Sequence, residues 1–329
     1  MKCINKCIGI VLCCTLVLAL CGCAKNEADL DNAYQVFDTS EKYGITKTGN
    51  LQSAEYFARD LCVAEDENVG LEQTPEEYVA QSAGLFKLNQ KEAVYKKNIY
   101  ERLYPASTTK ILTALIALEQ SNLDDVVTVS ANAAKQASDS SVCGLKEGDR
   151  ITMRDLLYGL MMRSGNDAAI AIAEHISGST EEFAVLMNAK ARSLGATNSH
   201  FVNPNGLHDE DHYTTVYDMY LIMNAAVQNE TFVQILNTAN YTTNYTDATG
   251  AAATQEWAST NKYLMGTEET PEGVVVIGGK TGTTGEAKYC LVQYNQNASG
   301  EPLISIVYKA DCRDNMYLLM SEILKNFAN

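Results

Sequence analysis

Three short stretches of the chain bring together hydroxyl, amine and amide groups suited to acyl chemistry. The first, "LYPASTTKILTALIALE" (103–119), sets Ser107 and Lys110 three positions apart at the mouth of an apolar run. In a helix, residues three apart share a face about one turn apart, so the Lys110 amine falls beside the Ser107 hydroxyl. Ser107 belongs to the first turn, where unpaired N–H groups and the positive end of the helix dipole favour a developing oxyanion. A free serine hydroxyl is a weak nucleophile at neutral pH and needs a base. A lysine in apolar surroundings gives up its proton readily, because desolvation disfavours the charged form, and the neutral amine can be that base. A pattern this short also describes a helix-capping serine with a lysine that snorkels to water.

The second stretch is "RSGND", where Ser164, Gly165 and Asn166 interrupt two apolar helical runs. A glycine between two polar residues lets the backbone turn sharply and aim both side chains into one space. By itself this is also an ordinary helix–helix connection. The third is "VIGGKTGTTGE", where a β-branched strand runs into Gly278-Gly279 and then Lys280, Thr281, Gly282 and Thr283. Small residues at a strand edge let a substrate backbone approach, and a lysine with hydroxyls supplies charge and donors for a carboxylate. A plain hairpin lead-in reads the same way.

The three occur in order, 57 and 116 residues apart, on a helix start, a helical loop and a strand. Together they are similar to the S-x-x-K, S-x-N and K-T-G set of the penicillin-recognising serine acyltransferases. Longer stretches, "LKEGDRITMRDLLYGLMMRSGNDAAIAIAEHI", "HFVNPNGLHDEDHYTT" and "GGKTGTTGEAKYCLV", resemble one branch, the serine-type D-alanyl-D-alanine carboxypeptidases of bacterial cell walls. The resemblance runs from about Ser82 to about Ala310. It implies that Ser107 is the nucleophile, forming an acyl-enzyme with a stem peptide ending in D-Ala-D-Ala, and that Lys110 is its base. It implies a relay and positioning pair in Ser164 and Asn166, electrostatic support from Lys280, and substrate pairing along Thr281, Gly282 and Thr283. The N–H groups of Ser107 and Thr283 would form the oxyanion hole, and β-lactams would be covalent inhibitors. No cofactor or metal is implied. Two lysines near one serine also raise each other's cost of being charged, which helps keep Lys110 neutral.

Two features depart from that family. About 20 residues follow "IVYKA", where many members carry a β-rich domain and an amphipathic helix, and Lys288 in "EAKYC" stands where glycine is common. Three rival readings are weaker. A class A β-lactamase carries S-D-N and an E-x-x-L-N loop, but this chain has Gly165 and no such loop. A zinc peptidase needs two histidines one turn apart on a helix with glutamate directly after the first. In "HDEDH" Asp209 takes that place, and turn sequence precedes His208 and His212. His175 and His200 read as helix and strand-edge residues rather than ligands. A wall-binding scaffold without chemistry would have no need for all three motifs intact.

These groups need elements to hold them. "AGLFKLNQKEAVYKKN" alternates around Asn89-Gln90-Lys91 and predicts a hairpin. A helix is expected over Ser107–Gln120, followed by two more on either side of "RSGND", the first opened by Thr152 with Asp155 in a capping-box-like start. Further helices are expected at "EEFAVLMNAKARSLG", "VYDMYLIMNAAVQ" and "NMYLLMSEILKNF", and strands at "GVVVIGGKTG", "AKYCLVQY" and "LISIVYKA". Strands at both ends with helices between them argue α+β with a mostly antiparallel sheet, the β-lactamase/DD-peptidase-like fold that the resemblance implies.

The 329 residues, 46% hydrophobic, suffice for a full core, and a net charge of −16 without a basic block argues against nucleic acid as a partner. Lys2, Lys6 and the 13 residues from Ile8 to Leu20 form a secretory signal pattern, too short for the about 20 residues that span a bilayer. "LCGC" resembles a lipobox, which implies cleavage before a lipidated Cys23 and anchoring on the outer face of the bacterial membrane. Three regions are therefore expected: 1–23 as signal peptide, 24–77 as polar tether with a short helix near 54–62, and 78–329 as catalytic domain. Six of ten cysteines lie in the leader, leaving Cys62, Cys143, Cys290 and Cys312, with no C-x-x-C pair. They read as small buried thiols, with a Cys290–Cys312 bridge the alternative.

Overall fold

A computed structural model of the protein describes residues 60–329. The leader, Cys23, residues 24–59 of the expected tether and most of its expected helix lie outside the described residues. Residues 60–62 are turn and extended chain rather than helix. The packed region begins ahead of Tyr78. Cys62 is buried, its N–H donating to Tyr220 Oη at 2.8 Å and its carbonyl accepting from Tyr217 Oη at 2.9 Å. Val69 exchanges two backbone bonds with Lys96. Acidic side chains here cover the outside of an irregular segment whose backbone is fastened, a distinction composition does not make.

The expected hairpin is β1 (Ala80–Lys87) and β2 (Glu92–Lys97), with Lys91 at φ 56° in the turn. A 3-10 turn over Ala106–Thr109 leads into α1 (Lys110–Gln120). Then come β3 (Val126–Thr128), α2 (Ala131–Ala134), β4 (Arg150–Thr152), α3 (Met153–Met162), α4 (Asn166–Ser177), α5 (Thr180–Ser193), α6 (Val216–Ala226) and α7 (Glu230–Leu236). The last elements are β5 (Asn240–Thr246), β6 (Ala252–Ala258), β7 (Val274–Thr284), β8 (Lys288–Asn297), β9 (Pro302–Ala310) and α8 (Arg313–Phe327). Thr152 caps α3 as its position predicts, its hydroxyl oxygen accepting from Asp155 N.

One antiparallel sheet has the order β2-β1-β9-β8-β7, so the first hairpin meets the last strands and β7 is left at an edge. Its inner strands β1 and β9 are buried almost throughout because both faces are covered. Leu85, Leu291, Leu303 and Val307 join Met316, Leu319, Met320 and Ile323 of α8 in one core. Their neighbours Phe86, Val292, Ile304 and Ile306 point the other way, into the core built with α1 and α6. Eight consecutive residues of α1, Lys110 to Ala117, are buried, as expected of a helix apolar on all sides.

A second sheet, β3-β4-β5-β6, was not legible in the sequence. β3 and β4 have three residues each, and within β5 and β6 only Thr243 and Trp257 are buried, so no apolar alternation marks them. The hairpin docks through stacked rings, Tyr241 lying 3.7 Å from Tyr158 of α3 and 6.3 Å from Trp257. All four remaining cysteines are free. Cys62, Cys143 and Cys290 are buried, whereas Cys312 is exposed and caps α8 through its sulfur, so the Cys290–Cys312 bridge does not form.

Phe86 stacks on Tyr220 at 4.2 Å and joins β1 to α6. Phe86→Ala is expected to cost about 3–5 kcal/mol in urea unfolding, because the site is fully buried and collapses poorly.

Candidate active site

The turn that carries the first motif is tighter than the α-helix the spacing suggested. In a 3-10 turn side chains at i and i+3 eclipse, which brings them closer than in an α-turn. Lys110 Nζ accordingly lies 3.0 Å from Ser107 Oγ. It also donates to Asn166 Oδ1 at 2.8 Å and to the carbonyl of Asn205 at 2.6 Å. The lysine is wholly buried, and no carboxylate among the described residues pairs with it. Burial first, and the charge of Lys280 second, hold its pKa well below the usual lysine value. A neutral amine has two N–H bonds and one lone pair. Two of the three partners of Lys110 can only accept, so the lone pair is left for the one partner with a proton to give, the Ser107 hydroxyl.

Lys280, in β7, is equally buried, and desolvation brings its pKa to about 7. Its amine lies 3.0 Å from Ser164 Oγ and 2.7 Å from the Thr281 carbonyl. The two lysines thus flank a continuous set of polar atoms, Ser107, Asn166 and Ser164. Ser164 has φ 57°, the left-handed region that non-glycine residues occupy at a cost of order 1–2 kcal/mol. Neighbouring bonds over-determine it: Gly165 N–H to Gly159 O at 3.2 Å and Asn166 N–H to Ser141 O at 2.9 Å. Gly165 has to be a glycine for packing, since a Cβ there would lie 2.4 Å from Cys143 Sγ.

β7 reaches the nucleophile through Gly282. A Cβ on Gly282 would come within 2.9 Å of both Ser107 N and Pro105 O and 3.0 Å of Thr108 N, all of it backbone that cannot rotate away. Thr281 Oγ1 lies 2.8 Å from Thr260 Oγ1. A cleft of about 290 Å³ opens here, lined by Ser107, Ser164, Thr281, Gly282 and Thr283. The structure therefore brings Ser107, Lys110, Ser164, Asn166, Lys280, Thr281, Gly282 and Thr283 to one place.

Four groups in and around the cleft were missed by sequence reasoning. The Asn205 carbonyl has no side-chain signature. Asp167, in the same "RSGND", accepts N–H bonds from Cys143, Gly144, Leu145 and Ala168 at 2.9–3.1 Å, fastening the 141–145 loop behind Asn166. Arg313 and Lys262 line the far side of the cleft. Lys262 is 3.2 Å from Asp314, whereas Arg313 lies over the Tyr289 ring and has no carboxylate partner among the described residues. A cation in the first turn of α8 opposes the helix dipole, and that misfit is the one local signal in the sequence that could have drawn attention to Arg313. The "HDEDH" histidines part company: His212 is buried against Thr109, and His208 meets Tyr104 edge-on at 4.6 Å. His175 closes α4 beside Asp125, and His200 bridges to Tyr213.

Comparison with known proteins agrees with this geometry. The D-alanyl-D-alanine carboxypeptidase family, peptidase S11, matches residues 69–312. The chain belongs to that family.

Among relatives, D-alanyl-D-alanine carboxypeptidase DacF of Bacillus subtilis is 38% identical over 218 residues, 64% of this chain and 53% of that protein. The D-alanyl-D-alanine carboxypeptidase of Streptomyces sp. K15 is 36% identical over 225 residues, 65% of this chain and 75% of that one. The chain thus spans about half the length of the Bacillus relative and three quarters of the Streptomyces one. The crystal structure of the Streptomyces K15 DD-transpeptidase superposes with a TM-score of 0.68 at 35% identity, covering 75% of this chain and 94% of that one. The D-alanyl-D-alanine carboxypeptidase of Mycobacterium tuberculosis H37Rv gives 0.66 at 27% identity, covering 76% and 94%. The fold is therefore that of the DD-peptidases. Lys288, which stands where the family favours glycine, has φ 54°, so the β7–β8 turn keeps the left-handed backbone that a glycine would adopt freely.

Two outcomes follow from this geometry. Gly282→Ala should slow penicillin acylation about 100-fold or more, by pushing β7 off the nucleophile turn, with the fold retained in a thermal melt. Protonated Lys110 cannot accept a proton, so acylation falls as pH drops through its pKa. Lys280→Gln removes the positive charge that depresses this pKa, so the acidic limb of the acylation profile should move to higher pH, whatever happens to its plateau.

Proposed function

We propose that this chain is a serine D-Ala-D-Ala carboxypeptidase that removes the terminal D-alanine of peptidoglycan stem peptides, held on the outer face of the membrane by a lipid on Cys23. The observation that carries the enzymatic reading is the buried Lys110 amine, its pKa held well below the usual lysine value, at 3.0 Å from Ser107 Oγ beside an open strand edge.

In this reading Lys110 takes the hydroxyl proton as Ser107 Oγ attacks the carbonyl carbon between the two D-alanines. The oxyanion is met by the N–H groups of Ser107 and Thr283, and the positive end of the α1 dipole adds to them. Asn166 holds Lys110 and the substrate in register. The leaving amine needs a proton, and Ser164, bonded to Lys280, delivers its own as the C–N bond breaks and regains the one that Lys110 took, which leaves Lys110 neutral again. The departing D-alanine carries a carboxylate, for which Arg313 and the Thr281 hydroxyl are the available partners. Water then attacks the acyl-enzyme as Lys110 accepts its proton, Lys110 returns that proton to Ser107 Oγ as the acyl bond breaks, and the shortened peptide leaves. A β-lactam enters by the same attack but keeps its leaving group tethered, so its acyl-enzyme persists.

The cell-wall substrate fits action outside the cytoplasm, and no helix among the described residues is long and apolar enough to cross a membrane. Cys23 in "LCGC" supports attachment from the N-terminal side.

Release of D-alanine from a peptide ending in D-Ala-D-Ala is the direct test. Ser107→Ala should abolish it, and Lys110→Ala should lower it by about 1,000-fold or more with an unchanged melt. Mass spectrometry after penicillin treatment should find one adduct, on the peptide containing Ser107. Nitrocefin turnover continuing past one equivalent would make the chain a β-lactamase instead. Metabolic labelling with a fatty acid, lost in Cys23→Ala, checks the anchor.

A further inference from the structure

The loop that carries "HDEDH" is part of no motif, yet it docks on the first two turns of the nucleophile helix at three points. His200 and Tyr213 close its ends with a pair of backbone bonds at 2.8 and 2.9 Å. From the loop, the Asn205 carbonyl accepts from Lys110, the Pro204 carbonyl accepts from Thr113 Oγ1 at 2.6 Å, and His212 Nε2 lies 2.9 Å from Thr109 Oγ1. The donors and acceptors run in one direction. Val202 N–H donates to His212 Nδ1 at 3.2 Å, so Nδ1 carries the lone pair and Nε2 carries the hydrogen. Nε2–H therefore donates to Thr109 Oγ1, and that hydroxyl donates to the carbonyl of Ala106 at 2.8 Å. Burial keeps the imidazole neutral, with a pKa lowered to about 3, so this direction does not reverse near neutral pH.

The carbonyl at the end of the chain of bonds belongs to a strained residue. Ala106 has φ 47°, and Gly206 of the loop, itself at φ 82°, presses on it so closely that a Cβ there would lie 1.9 Å from Ala106 O. The Ala106 carbonyl and the Ser107 N–H are two ends of one planar trans peptide, and they point in opposite directions. Fixing the carbonyl fixes the N–H.

We infer that His212, acting through Thr109, is a positioning residue that aims the Ser107 N–H as an oxyanion donor. This rests on the acyl-enzyme reading above and adds to it a group outside the three motifs. The histidine touches no substrate. Its N–H donates to Thr109 Oγ1, so the Thr109 proton cannot turn toward the imidazole and goes to Ala106 O, and the peptide keeps its direction while charge builds on the substrate oxygen.

The test is the rate of acylation by a fluorescent penicillin in the full chain, with melting temperature measured beside it. Asparagine at 212 places an oxygen near Nδ1 but reaches no further, whereas glutamine places an N–H near Nε2. Each leaves one buried partner unpaired, so a purely structural role treats them alike. The expected result is that His212→Asn slows acylation about tenfold or more, a fraction of the loss for a deleted oxyanion donor, while His212→Gln stays within about threefold of wild type. Thr109→Val, matched in shape, should slow it about 30-fold, and Thr109→Ser should restore it. Equal rates for His212→Asn and His212→Gln, or a wild-type rate for Thr109→Val, would overturn the inference. If the His212 variants do not fold, the Thr109 pair decides. A wild-type protein that penicillin does not acylate sinks the acyl-enzyme reading itself.

Discussion

The site depends on burying an amine without a counter-charge. Lys110 is wholly inside the protein and its partners are a hydroxyl, an amide oxygen and a peptide carbonyl. A lysine in such a place either costs several kcal/mol as an ammonium or gives up its proton. Lys280 stands under the same constraint, and a charge on either raises the cost of a charge on the other. The nearest carboxylate, Asp167, would undo the arrangement if it reached Lys110. Four backbone N–H groups instead occupy its two oxygens, which fastens the loop behind Asn166 and leaves its charge only a minor pull on Lys110 beside burial and Lys280.

A base of this kind is useful only if the attacked carbonyl lies where the oxyanion donors point, and two strained residues stand beside that point. Among the described residues six non-glycine residues have positive φ, and two of them, Ala106 and Ser164, adjoin reacting groups. At roughly 1–2 kcal/mol each, such conformations persist only where the surroundings leave no alternative. Around Ser164 the surroundings are the 141–145 loop and Gly165; around Ala106 they are Gly206, Thr109 and His212. Both sets belong to segments without regular structure, fixed by side chain to backbone bonds rather than by a ladder.

That explains which parts of the protein could be read from its residues. The terminal hairpin, α1, the helix pair around Ser164 and the last three strands all carry apolar periodicity, because each buries a face or two in one of the cores. The eight motif residues were legible because their types are costly where they stand: an amine in an apolar run, small residues in a strand. Three kinds of feature were hidden. The β5–β6 hairpin docks through two or three rings and leaves no period. The 3-10 turn at Ser107 differs from an α-turn only in backbone bonds, set by the close approach of Gly206 and Gly282 from elsewhere in the chain. The roles of Asn205 and His212 are contacts between segments 95 and 103 residues apart, which no local pattern encodes.

The edge position of β7 completes the argument. An unpaired strand edge invites any extended chain, which soluble proteins ordinarily prevent. Here most of the strand is closed off by its neighbours. At Gly278 the α7 segment comes so near that a Cβ would lie 2.1 Å from Leu236 O, and the register shifts between Val276 and Gly278. At Gly282 the nucleophile turn itself is the neighbour. The threonines on either side are what the cleft exposes, so the length of edge open for pairing is about that of a peptide's last residues. Arg313 lines the far side of the same cleft, where, in the proposed reading, its guanidinium would suit a terminal carboxylate. In that reading, preference for the end of a peptide over its middle would come from the shortness of that open edge.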